Sequence, residues 1–373
     1  MTRIALDAMG GDFAPGEIVV GAVEAATGLP DVKVLLVGQL APIQTELDKL
    51  PASLKQSAQE AMVKGTLEIV HAPDIAGMDE SPVDAVRKKK DCSINVAMRL
   101  VKEGRADAFV SAGNSGAVAT SAILNLGRIP GVKRPAIATV LPTSEPGRPI
   151  LVLDAGANMA CHPEWLVQFA IVGDAFSKAV LGRPTPTVGL LSIGTEDCKG
   201  NEMTKETFPL LKKCSELNFV GNIEGKDLYK GHIDVAVCDG FVGNIEGKDL
   251  YKGHIDVAVC DGFVGNVVLK TTESIAKAIV HRLKDECVKT PVRVAGAMLL
   301  KGAFKALKAQ FDPDICGGAP LLGVPGTVLI GHGSSSHKAI FYAVKAGVAA
   351  ATNDVSGLIA KSIAECAEDA KQK

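Results

Sequence analysis

"RIALDAMGGDFAP" (Arg3–Pro15) joins a short, mostly apolar run of β type to a turn of small and polar residues. The same order of apolar run, small-residue turn and helical segment recurs along the chain, with runs at "VKVLLVG", "TLEIVHA", "ADAFVSA", "PAIATVLP", "PILVLDAG", "TVGLLSIG", "IDVAVCDG" and "GTVLIGHG". Apolar strands that alternate with helices are typical of a mostly parallel sheet covered on both faces. The sequence therefore predicts an α/β fold.

The composition excludes several classes of protein. Of the 373 residues, 47% are hydrophobic and 22% are charged, with a formal net charge of −2, which is ordinary for a globular protein and gives no reason to expect nucleic acid as a partner. The nine cysteines form no C-x-x-C pair, so neither a disulfide framework nor a zinc ribbon is indicated. The first residues lack the pattern of a signal peptide, and we expect a soluble, cytoplasmic protein without a metal site.

Small and polar residues are concentrated where the predicted strands end. Ligands bind at the carboxyl edge of such sheets, where glycine allows close approach and helix N-termini offer free N–H groups. Two of these clusters fit an anion cradle, which makes Asn114, Ser115, Gly333 and Ser334 candidates for binding phosphate. For any one cluster, serine and asparagine residues that cap helices are the better explanation, but five clusters at one sheet edge favour a site among them. The clusters are "DAMGGDFAP" (7–15), "SAGNSGA" (111–117), "DAGANMACHP" (154–163), "SIGTEDCKGNE" (192–202) and "GHGSSSHK" (331–338).

Familiar nucleotide and hydrolase motifs are absent from the sequence. We find no G-x-G-x-x-G, no G-x-S-x-G and no H-E-x-x-H, which argues against a classical nicotinamide or flavin enzyme, a serine hydrolase of the elbow type and a zinc protease. "GNIEGKD" (Gly221–Asp227) is one residue too short for a P-loop and has Asp227 where serine or threonine is needed.

An amphipathic pattern with a basic side spans Thr290–Phe311. Its apolar residues recur at helical spacing, and a lysine directly follows three of them. Such a segment suits either a helix packed on the core or a helix lying on an anionic bilayer, and the pattern alone favours packing. The residues in question are Leu300, Lys301, Phe304, Lys305, Leu307, Lys308 and Phe311.

Together, the strand-end clusters resemble one family. "IALDAMGGDFAP", "VSAGNSGA", "KRPAIATVLP", "LLSIGTEDCKGNE", "NFVGNIEG", "VCDGFVGNVVLK" and "GGAPLLGV…HGSS" are similar, in this order, to acyl carrier protein:phosphate acyltransferases of bacterial phospholipid synthesis. The resemblance implies one domain over residues 1–373 with a three-layer α/β/α fold, similar to phosphotransacetylases and isocitrate-type dehydrogenases. It also implies a homodimer that needs no cofactor.

The implied reaction joins the acyl group of an acyl-[acyl carrier protein] to inorganic phosphate, giving acyl phosphate for a downstream glycerol-3-phosphate acyltransferase. Members of the family also dock on membranes through a helical hairpin, expected here at about residues 268–311. The resemblance therefore turns the preference for Met298–Phe311 from core packing to peripheral contact with an anionic membrane.

The resemblance assigns roles to two residues. The functional lysine of the family matches Lys199 in "GTEDCKGNE", where we expect it to balance the charge of phosphate or of the oxyanion. The functional asparagine matches Asn266 in "DGFVGNVVLK", with an expected hydrogen bond to the carbonyl oxygen or phosphate. Many relatives carry histidine where this chain has Phe13, so no role for that histidine transfers.

A 22-residue segment occurs twice without a difference, at residues 219–240 and again at 241–262, and is followed by a third "FVGN" at 263–266. The family pattern has this unit once, so we interpret the second copy as a recent duplication or an artefact. The sheet can take one strand from each copy or both strands from one copy. We expect Asn266 to be the functional asparagine, in preference to Asn222 and Asn244, because it precedes the helix expected at Val267–Asp285.

Two alternative functions stay open on the sequence. The same fold suits a phosphotransacetylase that acts on coenzyme A thioesters, or a dehydrogenase of the isocitrate type. A protein whose duplicated segment has broken the active site would bind acyl carrier protein without catalysis.

Overall fold

The computed structural model describes residues 1–141, 143, 145, 147–158, 161–192, 194–224, 227, 230–238, 287–302 and 313–372. Within these ranges the strands form one sheet of seven strands and one of five. The strands are β1 (Thr2–Asp7), β2 (Val32–Gly38), β3 (Leu67–His71), β4 (Ala108–Ser111), β5 (Ala136–Ile137), β6 (Thr139–Leu141), β7 (Ile150–Leu153), β8 (Thr187–Leu191), β9 (Asn218–Ile223), β10 (Val235–Val237), β11 (Ala319–Leu322) and β12 (Thr327–Ile330).

Helices follow most of these strands. They are α1 (Gly16–Gly28), α2 (Leu40–Lys49), α3 (Ala52–Lys64), α4 (Pro82–Lys88), α5 (Ser93–Lys102), α6 (Ser115–Asn125), α7 (Pro163–Ala179), α8 (Glu202–Lys213), α9 (Pro291–Leu299), α10 (His337–Thr352) and α11 (Val355–Gln372). None of the helices in the described ranges is long and apolar enough to cross a lipid bilayer.

The larger sheet has the order β3-β2-β1-β4-β12-β11-β5, and its first five strands run parallel. Successive residues of β1 point to opposite faces, so Ile4 and Leu6 pack with α1 and α10, whereas Ala5 packs with α5 and α6. Both faces of the sheet are therefore buried, which is why its strands are apolar throughout.

The smaller sheet has the order β6-β7-β10-β8-β9, and β7, β10, β8 and β9 run parallel. Val188 and Leu190 of β8 pack with residues of α7 and α8, among them Phe169 and Leu211. Helix α11 packs in turn on α7 and adds Ile359 to the same core. The α/β fold with mostly parallel strands is thus confirmed, but the strands are divided between two sheets instead of lying in one.

The division falls inside "PAIATVLP", which the sequence pattern presents as a single strand. Ile137 of β5 pairs with Leu321 in the larger sheet, and Thr139 of β6 pairs with Val152 in the smaller one. Ala138 lies between the two strands, and its N–H donates to the carbonyl of Pro320. One short segment therefore crosses from one sheet to the other and ties the two together.

Within the described residues, the doubled segment contributes two strands to the smaller sheet, and both come from its first copy. β9 pairs with β8, and β10 lies between β7 and β8. Residues 241–262, the second copy, lie outside the described residues, as does Asn266. Of the expected hairpin at about 268–311, the described part comprises residues 287–302, which contain α9.

Candidate active site

Three glycine-rich loops meet at the carboxyl edge of the larger sheet, following β1, β4 and β12. The N–H of Asp12 donates to the carbonyl of Gly333 at 2.7 Å, which joins the first loop to the third. A side chain at Gly10 would place its Cβ 2.7 Å from the amide nitrogen of Gly113, so the first and second loops are in backbone contact. Only glycine allows this approach, and backbone from three strand ends therefore lines one surface.

A buried carboxyl lies beneath this surface. The Ser111 hydroxyl donates to Asp7 Oδ2 at 2.7 Å, and the backbone N–H of Met9 donates to Oδ1 at 3.1 Å. Burial raises the pKa of Asp7 above its ordinary range, and hydrogen bonds from Ser93 and Ser111 oppose that rise. The Ser111 hydroxyl also accepts from the N–H of Gly113, so Asp7 and Ser111 together fix the start of the second loop.

Asn114 caps α6 and also holds a neighbouring loop. Its Oδ1 accepts from the N–H of Ala117 at 3.1 Å, and its Nδ2 donates to the carbonyls of Met78 and Glu80, each at 3.1 Å. Both ends of the side-chain amide are thus engaged by backbone. Ser115, the first residue of α6, is exposed. Of the two candidates in this loop, Ser115 has the side chain that a bound anion could reach.

Gly333 and Ser334 lie in the loop after β12, and Ser334 is exposed. The Ser334 hydroxyl is 2.7 Å from His332 Nδ1, and the backbone N–H of Ser334 donates to the same nitrogen at 3.2 Å. Ser336 caps the following helix, α10, through a bond from the N–H of Ala339. The structure therefore brings the predicted residues Ser115, Gly333 and Ser334 to one sheet edge, beside Asn114.

Lys199 lies in the loop between β8 and α8, at the carboxyl end of a strand in the smaller sheet, and it is exposed. It forms no ion pair with any residue that the structure describes. A Cβ on Gly194 would lie 3.0 Å from Lys199 Cγ. The glycine therefore leaves room for the aliphatic part of the lysine side chain. Gly200 has a φ of +114°, and a Cβ there would lie 2.0 Å from Thr204 Oγ1, so only glycine fits between the lysine and the helix.

The Glu196 carbonyl links the Lys199 loop to β9. Glu196 O accepts the backbone N–H of Lys199 at 2.9 Å and the side-chain Nδ2 of Asn222 at 2.8 Å. Asn222 belongs to β9 and is 6% exposed. The sequence favours Asn266 over Asn222, and the recurring "FVGN" is the one signal in it that points to Asn222.

The loop after β7, "DAGANMACHP", is organised by a second buried carboxyl. Asp154 accepts from the N–H groups of Ile137, Ala157 and Asn158 at 2.9, 3.1 and 2.8 Å, and from Asn158 Nδ2 at 2.8 Å. Burial raises the pKa of Asp154 and these hydrogen bonds lower it. Because Ile137 belongs to the larger sheet, this carboxyl joins the strand ends of the two sheets.

The remaining predicted residues fall partly outside the described ranges. Leu300 and Lys301 follow α9 and both are exposed, whereas Asn266, Phe304, Lys305, Leu307 and Lys308 lie outside the described residues. In the part of the chain that is described, no group of three or more His, Cys, Asp or Glu side chains is placed to hold a metal ion.

Residues 2–245 and 241–358 match the sequence profile of the family described as "Fatty acid synthesis protein". The chain belongs to this family. The two matched segments share residues 241–245, at the junction of the doubled unit. A phosphate acyltransferase of Desulfitobacterium hafniense (strain Y51) is 47% identical to this chain over 346 residues, 92% of each chain. A phosphate acyltransferase of Nostoc punctiforme is 47% identical over 353 residues, 95% of this chain and 94% of the relative.

The fold of this family member is similar to that of solved phosphotransacetylases, as the sequence predicted. A phosphotransacetylase from Streptococcus pyogenes superposes with a TM-score of 0.60 at 15% identity and covers 94% of both chains. A branched-chain phosphotransacylase from Enterococcus faecalis V583 gives a TM-score of 0.51 at 13% identity, covering 94% of this chain and 99% of that one. At such identities the likeness shows the fold alone.

Proposed function

We infer that the protein is a phosphate acyltransferase, an enzyme that transfers an acyl group to inorganic phosphate and thereby serves lipid synthesis. The observation that carries this inference is the 47% identity to phosphate acyltransferases over more than nine-tenths of the chain. The geometry supports it, because an exposed lysine and glycine-lined strand ends are what acyl transfer to an anion requires.

The chemistry needs no general base. Phosphate is an anion at neutral pH, whereas a serine nucleophile must first lose a proton. The leaving thiolate comes from a thiol with a pKa of about 8.5, by analogy with cysteine, and departs with little help. The remaining tasks are to hold phosphate against the thioester carbonyl and to stabilise the oxyanion that forms there.

We assign these tasks to residues of the strand ends. Lys199 supplies positive charge to phosphate or to the oxyanion, and its exposed side chain supports this role. Asn266 donates a hydrogen bond to the carbonyl oxygen or to phosphate. Ser115, Gly333 and Ser334 contact phosphate through hydroxyl and backbone N–H groups, and Asn114 contributes by setting the start of α6.

The acyl donor in this proposal is an acyl-[acyl carrier protein], and the product passes to a membrane-bound glycerol-3-phosphate acyltransferase. The enzyme acts as a homodimer at the surface of an anionic membrane. Exposed apolar side chains on α9 support membrane contact, since Val292, Met298 and Leu299 are 81%, 70% and 88% exposed.

The test offers the purified enzyme inorganic phosphate with either an acyl carrier protein thioester or a coenzyme A thioester, and traps acyl phosphate as the hydroxamate. We expect phosphate-dependent product with the carrier protein thioester. A preference for the coenzyme A thioester would instead identify a phosphotransacetylase. Carrier-protein binding without turnover would identify a catalytically broken binding protein.

A second experiment tests the role proposed for Lys199. Lys199→Ala should abolish acyl phosphate formation without changing the midpoint of thermal unfolding. Lys205→Ala, an exposed lysine in the first half of α8, is the matched control and should keep full activity. Near-normal turnover by Lys199→Ala would overturn the assignment while leaving the reaction class intact.

A further inference from the structure

Asn222 makes one hydrogen bond to the Lys199 loop. Its Nδ2 donates to the Glu196 carbonyl, the same oxygen that accepts the N–H of Lys199. The carbonyl requires a donor, so the Nδ2 end of the amide must face it, and the orientation of the Asn222 side chain is fixed. The bond joins the end of β9 to the turn that the hydrogen bond between Lys199 N–H and Glu196 O closes.

The other end of the Asn222 amide lacks a hydrogen-bond partner in the described part of the chain. Asn222 Oδ1 and the neighbouring Ser192 Oγ are both without a hydrogen-bond partner among the described residues, and these side chains are 6% and 5% exposed. Asn222 pairs with Leu190 of β8, and Ser192 lies two residues beyond Leu190, so both side chains leave the same face of the sheet. A buried unpaired oxygen is destabilising, so packing alone does not account for asparagine at this position.

We propose that Asn222 is a positioning residue for the acyl transfer reaction and acts through the Glu196 carbonyl to hold the Lys199 loop. The proposal rests on the proposed role of Lys199. Without the amide donor, the one hydrogen bond left to Glu196 O from the described residues is that of the Lys199 N–H, and the turn that carries Lys199 loses its side-chain link to β9. A displacement of about 1 Å at a catalytic group can lower a rate about 100-fold.

The first test is Asn222→Ala, assayed at varied phosphate and varied thioester. We expect kcat/KM for phosphate to fall about 10- to 100-fold, with the KM for the acyl donor unchanged. The unfolding midpoint should stay close to that of the unaltered enzyme, because the lost hydrogen bond is offset by removal of an unpaired oxygen. Asn218→Ala, at the exposed start of the same strand, is the control and should keep full activity.

A double-mutant cycle separates positioning from a structural role. Lys199→Arg keeps the positive charge and a measurable rate, so if Asn222 acts only through Lys199, adding Asn222→Ala to Lys199→Arg should slow the enzyme less than adding it to the unaltered chain. Losses that multiply would show that Asn222 acts independently of the lysine and would overturn the proposal.

Asn222→Asp adds a pH signature. An ionised carboxylate repels the Glu196 carbonyl, whereas a protonated one can donate to it. The activity of Asn222→Asp relative to the unaltered enzyme should therefore recover as pH falls, and a ratio independent of pH would contradict the mechanism.

If Lys199→Ala is inactive while Asn222→Ala is unimpaired, this inference fails and the proposed function stands. If Lys199→Ala is active, the lysine assignment fails first.

Discussion

The Ser111 hydroxyl and the Asp7 carboxyl, 104 residues apart in sequence, form a buried hydrogen bond of 2.7 Å. Burial raises the pKa of Asp7, so the folded protein binds this proton more tightly than the unfolded chain does. Stability must then fall as pH rises from the unfolded pKa, about 3.9, through the folded pKa. Above the pKa that Asp7 has in the folded protein, stability is lowered by the full amount.

Asp7→Asn removes this titration. The free energy of unfolding of the variant, relative to the unaltered protein, should increase with pH above about 4, with a slope of at most about 1.4 kcal/mol per pH unit. Urea unfolding between pH 4 and 8 measures it. Asp107→Asn is a control that should show no such trend in this range, because the hydrogen bond from Arg3 lowers the pKa of Asp107 and its effect on stability changes only below about pH 4. A flat difference for Asp7→Asn would contradict the burial of a titrating carboxyl.

The sequence predicts a strand or helix correctly when the residues of that element define it, and fails when distant partners do. β2 was predicted with the observed bounds, Val32–Gly38, because it is a continuous apolar run that ends at glycine. β11 was missed, since four residues that include Pro320 give no periodic signal and the strand depends on antiparallel pairing with β12. The division of "PAIATVLP" was likewise invisible, because distant partners decide where each half pairs.

The candidate site shows the same limit. Clusters of glycine and polar residues located the strand ends correctly, because chain order fixes where a parallel strand ends. The sequence could not assign individual side chains: the Asn114 amide is occupied by backbone from residues 78 and 80, whereas Asn222 is placed by the pairing of β9 with β8. Such contacts depend on tertiary structure.

Asn114→Ala should therefore reduce stability. It removes a helix cap and two bonds to the loop at Met78 and Glu80, and we expect a loss of about 1–3 kcal/mol in the free energy of unfolding. Ser115→Ala, one residue on and exposed, should change stability by less than about 0.5 kcal/mol and instead raise the KM for phosphate. Equal and small stability changes in both variants would mean that the Asn114 bonds contribute little.

The occupancy of β10 by the first copy predicts unequal effects of equivalent substitutions. Val235 is fully buried between β7 and β8, and Val235→Ala should lower the free energy of unfolding by about 2 kcal/mol. Val257 is the same residue 22 positions further on. Val257→Ala should cost less, because the position in the sheet is already filled. Equal losses, measured by urea unfolding, would contradict assignment of the strand to the first copy.

Removing one copy should leave a working enzyme. Because the copies are identical, deletion of residues 219–240 or of 241–262 gives the same polypeptide, which retains one complete unit for β9 and β10. We expect the shortened protein to unfold at the same or a higher denaturant concentration and to be at least as active. Loss of folding on deletion would show that the second copy is required and would end the interpretation of a dispensable duplication.

The duplication leaves two positions that could provide the functional asparagine before the helix. In the full chain, the "FVGN" that directly follows the strand of the first copy contains Asn244, whereas the one that precedes the helix predicted from the sequence contains Asn266. The two merge into one residue after deletion. Asn266→Ala in the full chain should abolish acyl phosphate formation if our assignment holds, with Asn244→Ala as its control. The reverse result would transfer the role to Asn244.

Membrane contact near α9 predicts dependence on both charge and apolar surface. Each basic residue close to an anionic bilayer contributes about 1 kcal/mol to binding, so changing Lys301, Lys305 and Lys308 to glutamate should weaken sedimentation with phosphatidylserine-containing vesicles by more than about 100-fold. The same changes at Lys49, Lys88 and Lys361, exposed lysines of other helices, control for net charge. Leu299→Asp should weaken binding as well, because Leu299 is 88% exposed and belongs to no hydrophobic cluster formed by the described residues. Unchanged binding by the Lys301/Lys305/Lys308 variant would exclude this segment as the contact, and equal losses in the control variant would reduce the effect to overall charge.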